Sequence, residues 1–206
     1  FIAQTLEDSN IQSDFVQVDE DTRINVKLKS GQETEINAPG PKVTHAQFEQ
    51  LLSQIRRTTN DDIVIVAGSV PNSIPSDAYA QIAQITEKTG AQLVVDAEKD
   101  LVETVLPYRP LFIKPNKDEL EVMFNTTVKS DEDVIKYGKE ILKKGAQSVI
   151  ISLGGDGAIY VDQHQSIKAV NPQGHVVNTV GSGDSTVAGM VAGLSMGLNI
   201  DEAFQQ

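Results

Sequence analysis

A chain of 206 residues with 39% apolar content is long enough for one sizeable α/β domain with an ordinary core. Cysteine is absent, which excludes disulfides and Cys-ligated metals and fits a reducing compartment. The net charge of -12 argues against nucleic acid or an anionic membrane as a partner, so a phosphorylated ligand needs a local cationic pocket. No run approaches the roughly 20 apolar residues that span a bilayer, and Phe1, Ile2 and Ala3 do not open a signal sequence. The expected location is therefore cytoplasmic. With no starting Met and a last helix that stops soon after Asn199, the chain is expected to be a piece of a longer protein, truncated at both ends.

Residues 1 to 10 fit the tail of a helix with Phe1, Ile2 and Leu6 on its buried side. From Thr22 to Lys29 the period is two: Ile24, Val26 and Leu28 alternate with Arg23, Asn25, Lys27 and Lys29. Ser30 and Gly31 supply a turn and Glu33 to Ile36 a returning strand. The cationic face fits either a solvated edge strand guarded by charge or a lid whose Arg23 and Lys27 hold a substrate phosphate. Ala38, Pro39, Gly40 and Pro41 lead back to the main body.

There, Thr44 and Gln47 form a capping box for a helix to about Arg57. Ile63 to Ala67 is an apolar run expected of a strand covered on both faces, and Gly68 and Ser69 follow it. A helix is expected from Ser76 to Lys88, stopped by Gly90, then a strand from Gln92 to Val95 ending in Asp96. A further strand from Leu111 to Ile113 runs into Lys114, Pro115 and Asn116. A helix from Ser130 to Lys144, closed by Gly145, precedes a strand from Ser148 to Leu153 and the glycines 154, 155 and 157. Alternation at these spacings predicts a parallel sheet with helices on both faces. Behind Asn178 to Asp184 comes the apolar run Ser185 to Leu198, whose Gly189, Gly193 and Gly197 share a face suited to close packing against a sheet.

Ser69, Asn116 to Glu119, Gly154 to Gly157 and the loop ending in Asp184 thus fall at one edge of the sheet, where open parallel sheets bind ligands. A glycine-rich turn before a helix either connects or receives negative charge on backbone amides, and Asp184 stands where it can take a proton. Glu119 is either a first-turn acid matching the helix dipole or, with Asn116, an organiser of hydrated Mg²⁺ on phosphates. The glycines at 154 to 157 match neither the Walker A nor the GxGxxG spacing, and His45, His164 and His175 are too dispersed to be ligands.

These residues resemble the PfkB, or ribokinase-like, carbohydrate kinases from about Asp21 onward. Asn178 to Asp184 is similar to the family's D-T-x-G-A-G-D signature, with Asn178 and Ser182 in place of its Asp and Ala. Asn116 with Glu119 is similar to N-x-x-E, and Ser152, Gly154 and Gly157 to S-x-G-x-x-G. Thr22 to Lys27 and Thr34 to Asn37 look most like the branch of kinases acting on fructose 1-phosphate or tagatose 6-phosphate. The resemblance implies a three-layer α/β/α sandwich with a mainly parallel sheet, a small β-hairpin lid at residues 15–38 and a kinase core at 1–14 and 39–206.

It further implies ATP-dependent phosphorylation of a ketohexose phosphate with Mg²⁺. Asp184 is then the base, Gly181, Ser182 and Gly183 the anion hole, and Asn116 and Glu119 the organisers of Mg²⁺. Ser152, Gly154, Gly157, Lys114 and Asn116 serve the nucleotide; Arg23 and Lys27 hold the sugar phosphate. Ser69 is a substrate-binding candidate from its place at the sheet edge alone, where it is either a ligand contact or a simple turn residue. Fructose 1-phosphate is the expected acceptor, with tagatose 6-phosphate, or a noncatalytic sugar-phosphate sensor, as alternatives. The family's N-terminal Gly-Gly-x-Gly-x-Asn stretch and the C-terminal part of its nucleotide pocket are absent, so activity is expected of the parent protein. The apolar face of the hairpin can also pair across two protomers, giving a homodimer.

Overall fold

The computed structural model describes residues 2–205 except 31, 173 and 177, and the backbone alone at residues 27, 29, 30 and 32–35. The expected burial of Phe1 and the turn residue Gly31 lie outside the described residues. The chain forms two compact units, residues 1–54 with 70–76 and residues 55–69 with 77–206.

In the first unit, helix α1 spans Ile2–Asp8 and buries no residue; Ile2 is 59% exposed, against the expectation of a buried face. Strands β1 (Asn25–Ser30) and β2 (Gln32–Asn37) form an antiparallel hairpin with Val26 opposite Ile36 and Lys27 opposite Glu35. The ladder begins three residues later than the alternation predicts, so Arg23 precedes it. Helix α2 (His45–Ile55) starts at the expected box: the Thr44 N–H donates to Gln47 Oε1 at 2.8 Å, and the Gln47 N–H to Thr44 Oγ1 at 3.3 Å. Its Phe48 and Leu52 are buried.

The second unit carries a six-stranded sheet in the order β3 (Ile63–Ala67), β4 (Gln92–Asp96), β5 (Phe112–Ile113), β6 (Ser148–Ser152), β7 (Ala158–Val161) and β8 (Ser166–Ala169). The first four strands run parallel, as the alternation requires. They are joined through α3 (Ala78–Thr89), α4 (Lys99–Val105), α5 (Lys117–Phe124) and α6 (Asp131–Lys144). The last two strands are antiparallel, a hairpin the alternation does not predict. Its turn is made by Asp162, whose carboxylate accepts from the N–H groups of His164 at 2.6 Å and Gln165 at 2.8 Å.

Helices α7 (Ser182–Ser195) and α8 (Ile200–Phe204) cover one face. There Val187, Met190, Ala203 and Phe204 close a core with Val94, Phe112, Ile150 and Tyr160. On the opposite face Gly138 of α6 sits against Val161 and Ile151. The sheet is therefore sandwiched between helical layers, the expected three-layer α/β/α arrangement.

Two expectations need correction. β3 is the edge of this sheet among the described residues, so its Ile65 is 45% exposed rather than covered. The glycine ridge of α7 does not face the sheet. Only Gly193 is tightly packed, and its neighbour is Ala203 of α8: a Cβ at Gly193 would lie 2.7 Å from it. Gly197 instead ends the helix in the left-handed region at φ 78°, where its N–H bonds the Leu194 carbonyl and the Leu198 N–H the Gly193 carbonyl.

Candidate active site

Parallel register fixes which residues meet at the C-terminal edge of the sheet. Ala67 pairs with Asp96, Val95 with Ile113, and Ile113 with Val149, while Asn116 bridges Ser152 beyond the ladder. Gly68, Asp96, Lys114, Asn116 and Ser152 therefore emerge together from four neighbouring strands. Backbone bonds hold them there: the Gly68 N–H donates to the Asp96 carbonyl at 3.0 Å, Lys114 to Val95 at 3.1 Å and Ser152 to Pro115 at 3.1 Å.

Lys114 is buried, with its side chain 7% exposed, and its Nζ lies 3.2 Å from Asp96 Oδ1. Such a charge persists in the interior only when paired. The sequence shows Asp96 as the acid ending a strand but gives no reason to join it to Lys114, 18 positions away; the parallel register supplies that reason.

Asn116 and Glu119 form a reciprocal capping box at the start of α5. Asn116 Oδ1 accepts from the Glu119 N–H and Glu119 Oε2 from the Asn116 N–H, both at 2.8 Å. This satisfies two otherwise unpaired helix donors and fixes both side chains on one face. Burial holds the Glu119 carboxyl above its ordinary range; the Asn116 N–H and Lys114 oppose the shift, and Asp96 and Glu98 add to it. The carboxylate thus sits in an acidic neighbourhood relieved by one ammonium group. Among the described residues no group of three His, Cys, Asp or Glu side chains converges as a metal cage. Mg²⁺ carried on phosphates needs none: it keeps most of its water and takes one or two carboxylates, so hard oxygens such as those of Glu119 fit it.

The glycine loop begins its helix earlier than the apolar run predicts. α7 starts at Ser182 with Gly181 as its cap, which places Ser182, Gly183 and Asp184 in the first turn. Gly181 takes φ 83°, a conformation glycine adopts without penalty, and a Cβ there would meet nothing within 4 Å. The reason for glycine at 183 is different: a Cβ would come 3.2 Å from Lys114 Nζ and 4.0 Å from Asp96 Oδ2. The positive end of α7 and the Lys114 ammonium therefore converge on one spot, which suits it to bind an anion. Asp184 is exposed beside it.

Ser69 follows Gly68 at the end of β3, and Gly154 to Gly157 follow β6. The second loop is anchored by the chain at and just after β8: Asn171 Nδ2 donates to the Gly154 carbonyl at 2.8 Å, and a Cβ at Gly157 would run into the Ala169 carbonyl. Lys114, Asn116, Glu119, Ser152, Gly181, Ser182, Gly183 and Asp184 all belong to the second unit, whereas Arg23 and Lys27 belong to the first. Arg23 is exposed.

The model of the pfkB family carbohydrate kinases matches residues 1–206. A 1-phosphofructokinase of Bacillus subtilis (strain 168) is 41% identical over 205 residues, which are 100% of this chain and 68% of that protein. A D-tagatose-1-phosphate kinase of Bacillus licheniformis is 34% identical over 206 residues, again 100% of this chain and 68% of that protein. Among solved structures, a Staphylococcus aureus protein described as a phosphofructokinase superposes with a TM-score of 0.87 at 78% identity, covering 98% of this chain and 66% of its own. Arabidopsis thaliana ribokinase shares the fold, with a TM-score of 0.76 at 22% identity over 98% of this chain and 67% of its own. The chain thus spans about two thirds of the length of these relatives. With the strand-end cluster, the capped N-x-x-E pair and the glycine loop opening α7 all in place, the chain belongs to the pfkB family of carbohydrate kinases.

Proposed function

We propose that the parent protein transfers the γ-phosphoryl group of ATP to the free primary hydroxyl of a ketohexose 1-phosphate, with fructose 1-phosphate as preferred acceptor and fructose 1,6-bisphosphate as product. The observation carrying this reading is the first turn of α7, which holds Asp184 and packs its Gly183 against the buried Lys114. Asp184 takes the proton of the acceptor hydroxyl as that oxygen bonds to the γ-phosphorus and the bond to the ADP oxygen breaks. The amides around Gly181, Ser182 and Gly183, with Lys114, neutralise charge on the moving phosphoryl group. Such positioned donors are the main source of rate in phosphoryl transfer. Asn116 and Glu119 would hold a hydrated Mg²⁺, which when bound would screen charge on the ATP phosphates. Ser152, Gly154 and Gly157 line the nucleotide side and Ser69 the sugar side. The 15–38 hairpin is a lid whose Arg23 and Lys27 hold the acceptor phosphate, and the remaining residues form the kinase core.

Tagatose 1-phosphate is the second acceptor to consider, because a relative 34% identical along the whole chain bears that name. The test is ATP turnover by the full-length protein with fructose 1-phosphate, tagatose 1-phosphate, tagatose 6-phosphate and fructose 6-phosphate, with Asp184→Asn alongside. The expected result is highest kcat/KM for fructose 1-phosphate and a kcat lower by a factor on the order of 10² to 10⁴ in the variant. Binding of sugar phosphates without turnover would replace this reading by a sensor.

A further inference from the structure

At the mouth of the cluster the turn that carries Ser69 is held from below by a residue outside every motif described so far. Tyr79, the second residue of α3, is 5% exposed, and its hydroxyl donates to the Gly68 carbonyl at 2.8 Å. Gly68 is at φ 89° and its own N–H is spent on the Asp96 carbonyl at 3.0 Å. Gly68 is therefore pinned on both of its flanking peptides, by the end of β4 through its N–H and by α3 through its carbonyl, which belongs to the peptide leading into Ser69. A left-handed glycine with open space around it has no steric reason to stay in one orientation. Its two hydrogen bonds supply that reason.

We propose that Tyr79 is a positioning residue for the sugar-phosphate acceptor: its hydroxyl locks the Gly68 carbonyl and so sets the direction in which Ser69 meets the substrate. The role rests on the assignment of Ser69 to the acceptor side made above. Two features fit it. Burial and then the negative charge of Asp96 push the Tyr79 hydroxyl up to about 12, so it remains a protonated donor throughout the working range of a kinase. The bond also ties α3 to the sheet edge at the point where the chain leaves β3, so loss of one hydroxyl frees a turn without opening a cavity.

The experiment compares Tyr79→Phe, Ser69→Ala and the double variant in the full-length protein, measuring KM for fructose 1-phosphate, KM for ATP, kcat and Tm. Tyr79→Phe is expected to raise the acceptor KM about 5- to 20-fold while the ATP KM stays within twofold, a misplacement effect confined to one substrate. Ser69→Ala is expected to raise the same KM, and the double variant to be no worse than the poorer single one, because both act through one contact. A Tyr79→Phe protein with a lowered Tm and unchanged kinetic constants, or with both KM values raised alike, overturns the proposal and leaves the Ser69 assignment standing. A silent Ser69→Ala refutes the Ser69 contact itself and the Tyr79 role with it.

Discussion

Gly181 and Gly183 lie two positions apart in one loop and are glycine for unrelated reasons. A Cβ at 181 meets no atom but forces an L-residue into the left-handed region, at a cost of about 1 kcal/mol. A Cβ at 183 carries no such backbone cost but pushes on Lys114 Nζ, 3.2 Å away. Gly181→Ala should therefore lower stability in urea by about that amount, whereas Gly183→Ala should leave stability nearly intact and lower kcat about tenfold by displacing the ammonium. Equal effects of the two substitutions on both quantities would refute the distinction. Glu119 makes a second residue-level prediction. Its carboxyl is raised from 4.5 in the fold, chiefly by burial, so its protonated form is the one the fold favours. That contribution to stability is complete below the unfolded value and disappears as pH rises through the raised one. Glu119→Gln keeps an acceptor for the Asn116 N–H and cannot ionise. Its thermal stability should depend less steeply on pH across the weakly acidic range than that of the parent, while Mg²⁺-dependent turnover drops; superimposable profiles would sink the idea.

At the scale of elements, the chief finding is that β4 and β5 are joined at their ends by charge as well as by backbone. Asp96→Asn leaves Lys114 buried without its partner and should cost on the order of 3 kcal/mol in chemical denaturation, with Asp96→Asn/Lys114→Met recovering part of the loss. A loss under about 1 kcal/mol would mean that the lysine finds water instead. Much of the element order is legible in the sequence because the chain punctuates it. The Thr44–Gln47 box, Ser130 at the start of α6, and Gly90 and Gly145 after α3 and α6 all mark ends where expected. The β7–β8 hairpin escapes for a physical reason. Each strand has four residues, and β7 is almost wholly buried, so it reads as an apolar run without period. The turn signal was the lone Asp162, which serves through its side chain rather than through glycine. The Asp96–Lys114 pair was hidden because register between parallel strands has no local trace. Lys114, Asn116, Glu119 and Asp184, by contrast, could be singled out as polar residues at strand or helix ends, where α/β sheets place their chemistry.

For the whole molecule, the hairpin carries the clearest prediction. Ile24, Val26, Leu28 and Ile36 are 68%, 43%, 50% and 56% exposed, and the Val26–Ile36 pairing puts them on one face. An apolar strand surface of this kind favours pairing with a second copy. In light scattering the full-length protein should have the mass of a dimer, and Val26→Asp/Ile36→Asp should halve it; an unchanged mass removes the hairpin from the interface.

The loop from Gly154 to Gly157 and the turn from Asp162 to Gln165 stand at opposite ends of the same strand, yet they have opposite tolerance for added chain. The first is clamped by Asn171 and by the Ala169 carbonyl, so its length is dictated by β8. The second projects Gln163 and His164 into solvent and is closed by hydrogen bonds of its own Asp162. A short epitope grafted between Gln163 and His164 should leave folding and nucleotide affinity as they were, while the same graft between Gly154 and Gly155 should abolish nucleotide binding. With that outcome the β7–β8 hairpin becomes a handle by which the kinase can be labelled or tethered away from its nucleotide loop.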